Sequence, residues 1–134
     1  MTDAEIMRAA SLMFEQAQTA EAPNPYETLQ AQLALWQEQN FGKQPIERMV
    51  LGAAEEVGEL AHATLKGLQG IRGMDDEAVR VKGGDSIADA TIYLMQAATA
   101  LRLDFWTLIR LTATKVLSRN WKAAPANGGE GTSG

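Results

Sequence analysis

The sequence predicts an all-α protein, a single bundle of four to five helices. Ala, Leu, Glu and Gln recur along the 134 residues, and these side chains lose little rotamer freedom in a helix. Runs of alternating β-branched residues, which are typical of strands, are absent. A hydrophobic content of 46% in a chain of this length supplies one core, and short connections between helices favour antiparallel neighbours.

The spacing of apolar residues and the residues that break helices together place each helix. Proline disfavours helix in the residue before it, so the first helix is predicted to end ahead of Pro25. Gly42 and Gly70 are stop signals, Pro45 suits a helix start, and Asp104 suits the turn before the last helix. The predicted helices are residues 3–20, 26–41, 45–70, 75–101 and a last one from about 105 towards 121.

The third and fourth predicted helices carry the longest apolar stripes. The stripe of the third consists of Ile46, Val50, Ala53, Val57, Leu60, Thr64 and Leu68. The stripe of the fourth consists of Ile87, Thr91, Leu94, Ala98 and Leu101. Residues at this spacing lie along one side of a helix, so we expect both stripes to face the core.

Composition excludes several classes of protein. The chain has no cysteine, which rules out a disulfide framework and a thiolate zinc site and favours a cytoplasmic location. We expect no export signal and no membrane span, and a net charge of -5 argues against a nucleic acid polymer as partner. The expected organisation is one catalytic helical domain over 1–122, with an N-terminal helix and linker in 1–25 and a disordered tail over 123–134.

Two acidic segments, EEVGE at 55–59 and DSIAD at 85–89, are the most informative part of the chain. Glu55 and Glu59 lie about 40° apart around their helix, as do Asp85 and Asp89 around theirs. Like charges at this spacing destabilise a helix, and a divalent cation removes that cost. Mg²⁺ and Mn²⁺ prefer carboxylate oxygens, so the segments predict a metal site if the two helices pack side by side.

An ordinary solvated acidic surface is the alternative, because these acids lie nearly opposite the apolar stripes. Apolar residues nevertheless border the acidic sectors, which indicates that another helix or another subunit covers them. These residues are Leu51, Leu65, Ile92 and Tyr93.

Three motifs in order, EEVGELAHATLKG, GDSIADATIYL and KVLSRNW, resemble the MazG-like all-α nucleotide pyrophosphohydrolases over roughly 29–121. The family signature is a Glu-Glu-x-x-Glu helix followed by an acidic pair with Asp on the next long helix. The resemblance implies a helical bundle of that type and a hydrolase acting on acid anhydrides. The expected reaction is Mg²⁺-dependent hydrolysis of (deoxy)nucleoside triphosphates to monophosphate and pyrophosphate, with Mn²⁺ as a substitute metal. The expected role is house-cleaning of the nucleotide pool. The expected assembly is a homodimer or a homotetramer.

The resemblance also implies roles for the acids. Glu56, Glu59 and Asp89 correspond to metal ligands, and Glu55 ligates another ion or orients the attacking water as the catalytic residue. The family most often has Glu where this chain has Ser86. The remaining ligand role is therefore assigned to Asp85, one position earlier and one helical turn before Asp89.

Substrate-binding residues are predicted outside the acidic segments. By the resemblance, Lys115 and Arg119 bind phosphate, and their spacing puts both cations on one helix face. Trp36 and Asn40 share a face that suits stacking on a base and hydrogen bonding to its edge, and Lys66 is a further phosphate candidate. The alternatives are a core or interface role for Trp36 and simple charge complementarity at helix ends for the cations.

Other functions remain open on sequence alone. Glu59 and His62 form a Glu-x-x-His, an element of di-iron carboxylate bundles, although the chain has only one such element. Dimeric dUTP pyrophosphatases and phosphoribosyl-ATP pyrophosphohydrolases share the acidic chemistry within the superfamily. A noncatalytic helical interaction module is the third class.

Overall fold

Five α-helices account for most of the residues that the computed structural model describes. The model describes residues 1–19 and 25–129, with side chains from 29 onward in the second range. Over these ranges the structure is all-helical, which confirms the predicted class, and none of the helices is long and apolar enough to cross a membrane. The helices are α1 (Asp3–Thr19), α2 (Pro25–Phe41), α3 (Ile46–Gln69), α4 (Asp76–Ala100) and α5 (Phe105–Leu117).

The helix ends follow the predicted signals. α3 begins directly after Pro45 and ends at Gly70, whose left-handed φ of 68° closes the helix with an N–H donated to the carbonyl of Gly67. Asp104 caps α5, its Oδ2 accepting from the backbone N–H of Thr107 at 2.9 Å. The predicted helix bounds are therefore confirmed to within a few residues.

α1 begins with a capping box. The backbone N–H of Thr2 donates to Glu5 Oε2 at 2.7 Å, and the N–H of Glu5 donates to Thr2 Oγ1 at 3.1 Å. The two side chains thus satisfy two amides that a helix start leaves without partners. Hydrogen bonding of the Glu5 carboxyl to the backbone N–H of Thr2, and then to the Thr2 side chain, lowers the pKa of that carboxyl.

The chain divides into two compact units, where the sequence predicted one domain over 1–122. Unit 1 consists of Met1–Ala31 and Leu101–Gly134, and unit 2 of Gln32–Ala100. The predicted linker residues 20–24 and the last residues of the predicted tail, 130–134, lie outside the described residues. Within unit 1, residues 121–129 form turns, closed by backbone hydrogen bonds that include Gly128 N–H to the Ala124 carbonyl at 2.7 Å.

Unit 1 is held together by α1 and α5 and by a buried glutamine. Ile6, Ala10 and Phe14 of α1 are buried, and the N–H of Asp104 donates to the carbonyl of Ala10 at 3.0 Å. The side chain of Gln30 is 5% exposed. Its Nε2 donates to the carbonyl of Leu103, and its Oε1 accepts from the N–H of Phe105, both at 3.0 Å. One side chain thereby satisfies two backbone groups where α5 begins.

Unit 2 is built on α3 and α4, which pack as an antiparallel hairpin. A Cβ added to Gly52 would overlap the ring of Tyr93, and one added to Gly67 would lie 2.6 Å from Val79 Cγ2. The residue number of the contact increases along α3, from 52 to 67, while that of its neighbour on α4 decreases, from 93 to 79, so the two helices are antiparallel. Glycine at such contacts lets the two helices approach closely.

The predicted apolar stripes of α3 and α4 are only partly buried. Ala53 and Ala98 are buried as expected, but Val50, Val57 and Ile87 are exposed, as are Leu68, Leu94 and Leu101. The buried positions of α4 are mostly small or polar: Gly83, Ser86, Ala90, Met95, Gln96, Ala97 and Ala98. The stripe prediction was wrong for these six exposed side chains because close packing of the hairpin selects small residues, and periodicity weights large ones.

Candidate metal centre and adjoining cavity

Three glutamates of α3 converge on one point. Glu55, Glu56 and Glu59 each offer a carboxylate oxygen, and these atoms lie within 4.8 Å of one another. Glu59 follows Glu55 by four residues and Glu56 by three, and residues at these spacings are neighbours on a helix surface, so the helical fold of EEVGE brings both carboxylates towards that of Glu59. We call this group the α3 carboxylates.

Asp89 of α4 is close enough to act on the same group. The pKa of the Glu56 carboxyl is raised, first by partial burial and then by the negative charges of Glu59 and Asp89. A hydrogen bond with Glu59 and the charge of Glu55 raise it further. The antiparallel register explains the approach, because Glu56 and Asp89 lie equally far along their helices from the contact between Gly52 and Tyr93.

The chemistry of this donor set fits a hard divalent cation. All its ligand atoms are carboxylate oxygens, which Mg²⁺ and Mn²⁺ prefer, and several anions crowd a small volume. The two ion pairs found in the described part of the chain, Arg102 with Glu15 and Lys115 with Asp3, involve none of these acids. A bound cation would therefore relieve a repulsion that those ion pairs leave in place.

Asp85 lies one turn before Asp89 on α4 and is exposed. It is neither one of the α3 carboxylates nor one of the charges that raise the pKa of Glu56. Ser86, at the position where the resembled family most often has Glu, is buried at 5% exposure. A metal-ligand role for Asp85 therefore stays a prediction.

A cavity of about 850 Å³ within unit 2 opens onto the carboxylates. Glu55, Glu56 and Asp89 line one part of it, and Trp36, Phe41 and Tyr93 contribute aromatic surface. The volume falls in the range of pockets that hold small organic ligands. An acidic group beside an aromatic wall suits a ligand that has both a metal-binding end and a flat ring.

The structure separates the two residues predicted to recognise a base. Trp36 lines the cavity, is 52% exposed and meets Phe41 edge-to-face at 5.7 Å between ring centroids. Asn40 is exposed, and its Nδ2 donates to the carbonyl of Trp36 at 2.8 Å. Within the described chain, Trp36 is thus a cavity residue and Asn40 is not.

The remaining candidates on α3 lie away from the cavity. Lys66, seven residues after Glu59 and so about 10 Å further along α3, donates from Nζ to Gln69 Oε1 at 2.9 Å. His62 is exposed and is not one of the residues that form the carboxylate group.

Lys115 and Arg119 belong to unit 1, where each has its own contact. Lys115 Nζ lies 2.9 Å from Asp3 Oδ1, and its side chain is only 17% exposed. The guanidinium carbon of Arg119 lies 5.9 Å from the ring centroid of Trp121. Their phosphate-binding role stays a prediction.

Several residues of the cavity were not identified as site residues from the sequence, among them Arg48, Tyr93 and Gln96. A usable signal was present, since Arg48 precedes Glu55 by seven residues and Gln96 follows Asp89 by seven. Seven residues make almost two helical turns, so each residue shares a face with the acid.

A scan against models of protein families matches none, and no curated protein and no solved structure matches the chain. Membership of the MazG-like family therefore stays a prediction from the three motifs.

Proposed function

We propose that the chain is a metal-dependent nucleoside triphosphate pyrophosphohydrolase, active in house-cleaning of the cytoplasmic nucleotide pool. The observation that carries the proposal is the joining of the carboxylates of α3 and Asp89 to a cavity of about 850 Å³ with aromatic walls. The carboxylate end suits the cation that accompanies a triphosphate, and the aromatic part suits a base. The sequence resemblance supplies the reaction type.

In this proposal Glu56, Glu59 and Asp89 hold Mg²⁺, with Asp85 as a further ligand. Bound there, Mg²⁺ supplies charge neutralisation at the phosphoryl oxygens and lowers the pKa of a coordinated water. Glu55 orients the attacking water by accepting a hydrogen bond from it. Glu55 suits this role because it lines the cavity and is exposed to solvent.

The proposed reaction consumes one water molecule. The water oxygen bonds to the α-phosphorus, the bond from that phosphorus to the bridging oxygen breaks, and pyrophosphate leaves. The water proton passes to solvent by way of the Glu55 carboxylate. Trp36 stacks on the base in this scheme, since it lines the cavity and an indole suits a flat ring.

The test is a product analysis with matched variants on α3. Each nucleoside triphosphate is incubated with Mg²⁺, and monophosphate, diphosphate and pyrophosphate are resolved. Glu56→Gln is expected to lower kcat by about 100-fold or more because it removes a carboxylate ligand. Glu47→Gln, which makes the same charge change at an exposed position of the first turn of α3, is expected to leave kcat within about twofold.

Three outcomes would contradict the proposal. Release of orthophosphate and diphosphate would exclude attack at the α-phosphorus. Absence of turnover over a panel that includes dUTP and oxidised bases, with unchanged Mg²⁺ affinity in Glu56→Gln and Asp89→Asn, would indicate a noncatalytic module. Iron content with an oxygen-dependent absorbance would favour the di-iron alternative.

We further propose a homodimer or homotetramer. Val50 and Val57 of α3 and Ile87 and Leu94 of α4 are exposed, and clusters of apolar residues on helix surfaces are typical of interfaces. A second copy of the chain is the simplest occupant. Light scattering coupled to size-exclusion chromatography is expected to give a mass of two or four chains, and a monomer at micromolar concentration would refute it.

A further inference from the structure

Gln96 is a buried amide with a fixed orientation. Its side chain is 5% exposed, and Nε2 donates to the backbone carbonyl of Leu33 at 2.7 Å. A carbonyl oxygen can only accept, so the amide group must turn its nitrogen towards Leu33 and its oxygen away. The hydrogen bond between α4 and α2 therefore determines which atom of Gln96 faces elsewhere.

The hydrogen bond to Leu33 leaves the Oε1 atom of Gln96 as the end of the amide that is available to the cavity. This oxygen accepts no hydrogen bond from the described part of the chain. It is also not one of the fully buried polar atoms that lack a partner, so a ligand can reach it. Gln96 itself is one of the residues that line the cavity. The cavity thus contains a fixed hydrogen-bond acceptor, and an acceptor in a pocket selects a donor on the ligand.

This acceptor lies at the end of the cavity away from the carboxylates. Gln96 follows Asp89 by seven residues, so it shares a face of α4 with Asp89 about 10 Å further along. In the antiparallel register Arg48 of α3, seven residues before Glu55, lies at the same end. The separation is comparable with the length of a nucleoside, from its phosphorylated carbon to the far edge of its base.

We infer that Gln96 is a specificity-determining residue whose Oε1 accepts a hydrogen bond from the exocyclic amine of the base. The inference rests on the proposed function. The amines of cytosine and adenine lie on the edge of the base farthest from the sugar, which matches the position of Gln96. Uracil and hypoxanthine carry an oxygen there, so two acceptors would face each other and neither would be satisfied.

The experiment compares matched pairs that differ in that one group. With the full chain and Mg²⁺, kcat/KM is measured for dCTP against dUTP and for dATP against dITP. The amino member of each pair is expected to be favoured by about tenfold or more, the effect of one lost hydrogen bond and one unsatisfied acceptor. Equal values, or preference for the oxo members, would overturn the inference while leaving the proposed hydrolysis intact.

Two variants assign the selectivity to Gln96. Gln96→Met keeps the approximate volume but removes the acceptor, so the ratio within each pair is expected to fall towards one. Gln37→Met makes the same change at a second glutamine of the cavity, which is half-buried, and is expected to keep the ratio. An unchanged ratio in Gln96→Met, or a collapsed ratio in Gln37→Met, would refute the role of Gln96.

A binding measurement separates this inference from the proposed function and needs no variant. Calorimetric titration of the wild-type chain with dCMP and with dUMP is expected to show tighter binding of dCMP by about tenfold or more. If no triphosphate is hydrolysed and dCMP still binds more tightly, the acceptor site stands and the proposed function fails. Equal affinities for dCMP and dUMP would overturn the acceptor site.

Discussion

Replacement of Gly52 by alanine tests the register of the hairpin and the wall of the cavity together. A Cβ at Gly52 would lie 2.6 Å from Tyr93 Cζ and 2.7 Å from Cδ1, and nearer still to Cε1. Ordinary carbon contacts need about 3.5 Å or more, so the Tyr93 ring must move by close to 1 Å. Tyr93 also lines the cavity, which links this contact to the site.

The expected magnitude comes from two opposing effects. Alanine in a helix interior is about 1 kcal/mol more favourable than glycine. Overpacking against a ring that cannot move freely costs about 1–3 kcal/mol. Gly52→Ala is therefore expected to leave the free energy of unfolding unchanged or lower it by up to about 2 kcal/mol.

Gly58→Ala on the same helix isolates the packing effect. A Cβ at Gly58 meets nothing within 4 Å, so only the helix-propensity gain of about 1 kcal/mol is expected. Urea unfolding followed by circular dichroism measures both variants against the wild type, and they are expected to differ by about 1–3 kcal/mol. Equal stabilisation by both would refute the close contact between Gly52 and Tyr93.

Three further predictions concern single side chains. The raised pKa of Glu56 means that its contribution to stability is full below its ordinary pKa and lost as pH rises through the raised value. In the metal-free chain, Glu56→Gln should therefore gain thermal stability relative to the wild type as pH rises from acid to neutral, and excess Mg²⁺ should reduce that gain; a constant difference over this range would contradict the raised pKa. Gln30→Leu leaves two backbone groups at the start of α5 without partners and should lower the free energy of unfolding by about 2–4 kcal/mol, whereas an effect below about 1 kcal/mol in urea titration would contradict the bridging role. Asp104→Ala should cost about 1–2 kcal/mol through the lost cap on Thr107, and Asp104→Asn, which keeps an acceptor, should cost less; equal losses in the two variants would argue against capping.

The helices could be predicted from sequence because their ends have local causes. Gly70 adopts the left-handed conformation that stops α3, and Asp104 caps α5, so both boundaries were predicted closely. The convergence of Glu55, Glu56 and Glu59 was equally accessible, since helical spacing alone fixes it. These features depend on residues a few positions apart.

What the sequence did not reveal depends on how helices pair. Val57 and Ile87 were assigned to buried stripes, but the hairpin packs through glycine and alanine, so these larger side chains are exposed. The cavity has the acids at one end and Arg48 and Gln96 at the other, and this arrangement depends on which residues of α3 and α4 are paired. Periodicity identifies the faces of a helix but does not say which face meets which neighbour.

The division of the chain has a consequence for the order of folding. Unit 1 is assembled from both ends of the chain, and the whole of Gln32–Ala100 lies between its two parts. Closing an intervening loop of about 70 residues costs on the order of 4 kcal/mol in chain entropy. The α3–α4 hairpin joins consecutive helices, so its contacts, such as Gly52 with Tyr93, close a shorter loop and form more quickly. Folding of this hairpin first would shorten the distance over which the two ends of the chain must search before α1 and α5 pack together within unit 1.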